Sequence, residues 1–126
     1  MNEYRIEEIS VGMKEGFSKM VTAEMMEKFY AITGDGNPLH RDPEFAKAGG
    51  FAGCVAYGML TASFISTLGG CYLPGRHCVI QGVETRFARP VYIGDRLSIE
   101  GEVCKVDLDL KYVEIKVTKG DNEEPA

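Results

Sequence analysis

The sequence predicts an α+β domain in which a curved antiparallel sheet wraps around an apolar helix. Three observations predict it: helical spacing of apolar residues before residue 34, a run without charge over 59–68, and a switch to period-two alternation after residue 78. Each element can be justified in turn.

Weak strand patterns lie around Tyr4 to Ile6 and Gly16 to Val21. Thr22 then reads as an N-cap, with Glu24 placed to favour the helix dipole. Met25, Met26, Phe29, Tyr30 and Ile32 follow at roughly helical spacing, and Gly34 ends the helix. Asp42 and Pro43 read as the cap and first turn of a short helix over Glu44 to Ala48. Gly49, Gly50 and Gly53 make the next segment a loop.

From Met59 to Leu68 no face of the predicted helix carries charge, so it is expected to be buried on all sides. The second half reads as strands in series. Val79 to Phe87 alternate, Gly94-Asp95 makes a turn, Leu97 to Val103 alternate, and so do Val113 to Val117.

The chain has 126 residues, 44 % of them hydrophobic and 26 % charged, which fits a single globular domain over 1–126. Its 15 glycines exceed the usual share of roughly 7 % and show no collagen-like period. A net charge of −5 argues against a nucleic-acid partner. No apolar run approaches the roughly 18 residues of a membrane span, so no membrane association is expected. The polar start MNEYRIEEIS lacks a signal-peptide core, and a cytoplasmic location is expected. Cys54, Cys71, Cys78 and Cys104 show no C-x-x-C spacing beside only two histidines. They read as reduced thiols, with no metal site.

Chemistry concentrates in the loop Gly34-Asp35-Gly36-Asn37-Pro38-Leu39-His40. A carboxylate and an imidazole on one tight loop can form an acid–base pair. Asp, Asn and Pro are also ordinary turn residues, and a loop histidine is often only a surface group. Tyr57-Gly58-Met59 opens the apolar helix, where a glycine leaves its N–H uncovered as a donor to a developing oxyanion, or simply makes an entry turn. Ser66 on the same helix either back-bonds to its own turn or lines a pocket.

The stretch from Ile32 through Asp35, Asn37, Pro38, His40 and Asp42 to Ala46 closely resembles the signature of MaoC-like dehydratases, which include the (R)-specific enoyl-CoA hydratases. The likeness continues through Gly58-Met59-Leu60 into Ser66. It reappears in Phe87, Pro90-Val91 and Gly94-Asp95, which resemble an F-x-x-P-V-x-x-G-D segment. The resemblance implies a hot-dog fold, a homodimer or higher homo-oligomer, and reversible addition of water to trans-2-enoyl thioesters of CoA or an acyl-carrier protein. It implies no cofactor beyond that thioester. It assigns Asp35 and His40 to catalysis, Gly58 to the thioester carbonyl, and Ser66 to the pocket near them. Asn37 is expected to hold the loop at the substrate.

One departure is plain. The family usually reads H-G-M where this chain has Tyr57-Gly58-Met59, so Tyr57 is expected at the substrate with an altered contact. Arg86 and Arg89, with Arg76, are candidates for the anionic arm of the carrier. Gly69 and Gly70 either end the helix or deepen the acyl tunnel. Alternative functions are an acyl-CoA thioesterase on the same fold and a non-catalytic acyl-thioester-binding protein. After Thr118, Lys119 to Ala126 reads as a hairpin turn with no returning strand, although the family adds one more. Either the sheet closes differently or the given sequence stops before that strand.

Overall fold

The computed structural model describes residues 1–121. A three-stranded antiparallel sheet is its frame, in the order β1 (Lys14–Met20), β2 (Arg96–Asp107) and β3 (Tyr112–Asp121). Phe17 pairs with Ile99 in the first ladder, and Val117 pairs with Gly101 in the second. Along β2 the buried residues Leu97, Ile99, Gly101 and Val103 alternate with more exposed ones, as period two requires.

The helices lie between β1 and β2 in sequence. α1 (Ala23–Thr33) is capped by the Thr22 side chain, which accepts from the Met25 N–H, and ends at Gly34 with φ of 71°. α2 (Pro38–Arg41) and α3 (Pro43–Ala48) are short, each opened by an Asx cap and a proline. The central helix comprises α4 (Gly58–Ala62), α5 (Phe64–Thr67) and a wide turn over Leu68–Tyr72. Its interruption at Ser63 has a local cause. The Ser63 hydroxyl donates to the Leu60 carbonyl at 2.5 Å and competes with the helical ladder.

This helix is not buried all round. Leu60, Phe64 and Leu68 pack with Leu97 and Ile99 of the sheet, and Thr61 and Ala62 are also buried, whereas Met59, Ser63, Ser66 and Thr67 form an exposed stripe at helical spacing. A lack of charge allows burial on every face but does not supply a partner for each one. Against the sheet the fit is close: a Cβ at Gly101 would collide with the Leu68 side chain, so glycine at the centre of β2 lets the helix approach. Leu68, Leu97, Ile99, Phe64 and Tyr57 share the main core cluster.

Three strand expectations need correction. Residues Val79 to Phe87 form no ladder, and all of them are exposed. Their alternation marks which face a strand would bury, but a ladder also needs an edge about 4.8 Å away. Here the segment and β3 line two cavities together instead of pairing. β3 in turn does not stop at Thr118: its ladder continues through Gly120 opposite Ser98 and Asp121 opposite Leu97. The expected hairpin turn therefore does not begin at Lys119, and the rest of it lies outside the described residues. At the N-terminus, Ile6–Glu8 is a 3-10 turn and Glu3 makes a lone bridge to Gly75, in place of a strand over Tyr4 to Ile6. The Gly94-Asp95 turn forms as expected, with Gly94 at φ of 97° and the Asp95 carboxylate accepting from the Tyr92 N–H. The four cysteines are free thiols.

Candidate active site

The loop after α1 is built from its own side chains. The Asp35 carboxylate accepts from the Asn37 N–H at 3.1 Å, and the Asn37 side chain accepts from the Leu39 N–H at 2.9 Å. These two Asx turns start α2, with Pro38 pre-set at its first position. α2 is then tied to residue 55 by two bonds. The Val55 N–H donates to the Leu39 carbonyl at 3.1 Å, and His40 Nδ1 meets the Val55 carbonyl at 2.7 Å.

That second contact assigns the tautomer. A carbonyl oxygen only accepts, so Nδ1 carries the proton and the neutral ring keeps its lone pair on Nε2. The ring also packs on Tyr57, with centroids 4.3 Å apart. Tyr57 is 2 % exposed, lies against Phe29 on another side, and donates its hydroxyl to the Asp35 backbone carbonyl at 2.6 Å. Tyr57 thus joins the acid-bearing loop to the imidazole, although the two catalytic candidates do not bond each other among the described residues.

A cavity of about 750 Å³ opens beside His40. Gly58, Thr61, Phe87, Arg86, Arg89 and Lys119 are among the residues lining it. As the first residue of α4, Gly58 holds an N–H with no acceptor within its helix. A Cβ at Gly58 would meet the Phe87 ring at 3.0–3.3 Å, so only glycine leaves the ring where it is. A second cavity of about 1040 Å³ shares Ile65, Val83, Ile115 and Val117 with the first and reaches Gly69.

The sequence-predicted residues divide accordingly. His40, Gly58, Arg86 and Arg89 meet at the 750 Å³ cavity, and Tyr57 stands directly behind His40. Asp35 and Asn37 are exposed on the loop and do not line it. Ser66 lies on the exposed stripe and lines neither cavity, and Arg76 is exposed on a distant turn. Sequence reasoning missed Val55, Thr61, Phe87 as a cavity wall, and Lys119. Thr61 had a signal, as a hydroxyl one turn beyond Gly58; Lys119 had none. Among the described residues no cluster of three His, Cys, Asp or Glu side chains is placed to hold a metal ion.

The comparisons with known proteins agree with this architecture. The MaoC-like domain matches residues 8–124, and the chain belongs to that family. It is 39 % identical to an (R)-specific enoyl-CoA hydratase from Aeromonas caviae over 80 % of this chain and 75 % of that one. It is 35 % identical to a 3-hydroxybutyryl-CoA dehydratase from Methylorubrum extorquens over 79 % of this chain and 64 % of the relative. Its structure matches that of an (R)-hydratase from A. caviae involved in PHA biosynthesis with a TM-score of 0.87 at 34 % identity, covering 94 % of this chain and 90 % of the other. The wrapped sheet and central helix are the hot-dog fold of these hydratases.

Proposed function

We propose that the protein is an (R)-specific enoyl-thioester hydratase, a hydro-lyase that adds water reversibly to trans-2-enoyl thioesters. The observation that carries this reading is His40: its Nδ1–H is committed to the Val55 carbonyl, while its ring opens on the cavity that also contains Gly58. Attack of water at C3 moves an electron pair from the double bond toward the thioester oxygen. The Gly58 N–H is placed to receive that charge, and Nε2 of His40 to take the proton of water. C2 then gains a proton, so one water is added overall. Asp35 is the second acid–base group of the proposal, brought toward His40 through Tyr57. Asn37 holds the loop, and Arg86 and Arg89 meet the phosphates of the carrier arm. These steps require only the thioester and water.

The functional form is a homodimer in the cytoplasm. The uncharged exposed stripe Met59, Ser63, Ser66 and Thr67 supports a second copy, and its test is the solution mass by light scattering. No helix among the described residues is long and apolar enough to cross a membrane.

The deciding experiment follows the enoyl-thioester absorbance of crotonyl-CoA, with chiral analysis of the product and His40→Ala and Asp35→Asn as controls. Loss of absorbance with formation of the (R)-3-hydroxy product is expected. Release of free CoA, detected with a thiol reagent, would point to thioester hydrolysis. Acyl-CoA binding without either change would point to a non-catalytic binder.

A further inference from the structure

Lys119 stands on β3 opposite Ile99, so its backbone is fixed by the sheet. Its ammonium donates to Thr61 Oγ1 at 3.0 Å and sits 5.4 Å from the centre of the Phe87 ring. Both neighbours bracket Gly58. The Thr61 hydroxyl donates to the Gly58 carbonyl at 2.9 Å, and Phe87 packs where a Gly58 side chain would stand. The ammonium is therefore linked through Thr61 to the carbonyl of Gly58, the residue whose N–H is proposed to bind the thioester carbonyl.

Its surroundings are poor for a cation. Among the described residues no carboxylate lies within ion-pair distance of it, and its immediate partners are a neutral hydroxyl and a ring face. Burial pushes its pKa down. The cavity as a whole is cationic although the chain carries −5. Among the described residues, Arg86, Arg89, Lys116 and Lys119 line it, with Glu84 as the one carboxylate. A site built this way is completed by an anion.

We propose that Lys119 is a specificity-determining residue whose ammonium receives a carboxylate carried on the acyl chain of the substrate. This rests on the enoyl-thioester reading above. The carrier's phosphates are the other source of negative charge, but they lie at the far end of the pantetheine arm. Arg86 and Arg89 are assigned to those phosphates, which leaves Lys119, bonded to Thr61 in the first turn after Gly58, as the cation nearest the carbonyl end.

The test compares hydration of glutaconyl-CoA, which bears a terminal carboxylate, with hydration of crotonyl-CoA, in the wild-type protein and in Lys119→Met and Lys119→Arg. Binding of the saturated pair, glutaryl-CoA and butyryl-CoA, is measured by calorimetry in parallel. The wild type is expected to favour the carboxylated member in both assays. Lys119→Met is expected to cut the preference roughly ten- to a hundredfold, the scale of one charge-assisted hydrogen bond, and Lys119→Arg to retain most of it. A preference unmoved by Lys119→Met, or its absence in the wild type, overturns the proposal. If crotonyl-CoA is hydrated without such a preference, only this inference fails. If neither enoyl thioester is hydrated but the Lys119-dependent preference for glutaryl-CoA persists, the hydratase reading fails and carboxylate recognition stands.

Discussion

His40 Nδ1 and the Val55 carbonyl oxygen lie 2.7 Å apart, and that bond decides which imidazole nitrogen is free to act. It spans 15 residues and is reinforced by the Val55 N–H on Leu39, so the ring's orientation is set by backbone. A general base held this way typically contributes 10²- to 10⁴-fold. His40→Ala is expected to lower kcat on crotonyl-CoA by about that range while leaving the fold intact, as circular dichroism would check. An unchanged kcat would remove His40 from the chemistry.

Tyr57 is predicted to act through position. Its hydroxyl holds the Asp35 carbonyl and its ring supports His40. Tyr57→Phe keeps the ring contacts and deletes the hydroxyl bond. Urea unfolding is expected to show a loss of about 1 kcal/mol. Activity is expected to fall through kcat, because the acid-bearing loop is no longer tethered to the imidazole.

Gly58→Ala brings a Cβ against the Phe87 ring at 3.0–3.3 Å. The ring must give way or displace the substrate carbonyl from the N–H. A fall in kcat/KM is expected, and Phe87→Leu in the same chain is expected to restore part of it. A double mutant no better than Gly58→Ala alone would show that the contact is not the cause.

Gly101→Ala tests the seam between helix and sheet. The added methyl meets the buried Leu68 side chain, which must shift to admit it. Overpacking of this kind costs about 1–3 kcal/mol, readable as a lowered Tm.

Lys119 gives a pH dependence with a definite sign. Burial lowers its folded pKa below the ordinary lysine value of 10.5. Between the folded and unfolded values the unfolded chain holds the additional proton, so stability rises with pH through that window. Relative to Lys119→Met, the wild type is therefore expected to gain Tm as pH rises from neutral toward about 10.5. A difference in Tm that stays constant over this range would contradict the burial of the ammonium.

Much of the frame was legible from short-range signals. Thr22 and Asp42 cap helices whose N–H groups lie two or three residues away, and the alternation along Leu97 to Val103 names its own buried face, whereas the short helix that Asn37 caps reads as loop in the sequence. The loop from Asp35 to His40 carries its turns in its own side chains, so its conformation was readable, although Asp35 and Asn37 do not line the cavity. What lay beyond reach depended on distant partners. Val79 to Phe87 has the pattern of a strand and lacks an adjoining edge. The uncharged central helix has an exposed face because the sheet covers only one side of it. Ser66 shares that face, so its place on the helix did not bring it to the cavity. The Lys119–Thr61 bond crosses 58 positions. By itself the sequence determined the caps at Thr22 and Asp42, the Gly94-Asp95 turn and the periods of α1 and β2. Tertiary structure alone decided which nitrogen of His40 is free, which glycine admits Phe87, and which lysine reaches the cavity. Those outcomes depend on contacts between segments far apart in the chain, which local spacing does not encode.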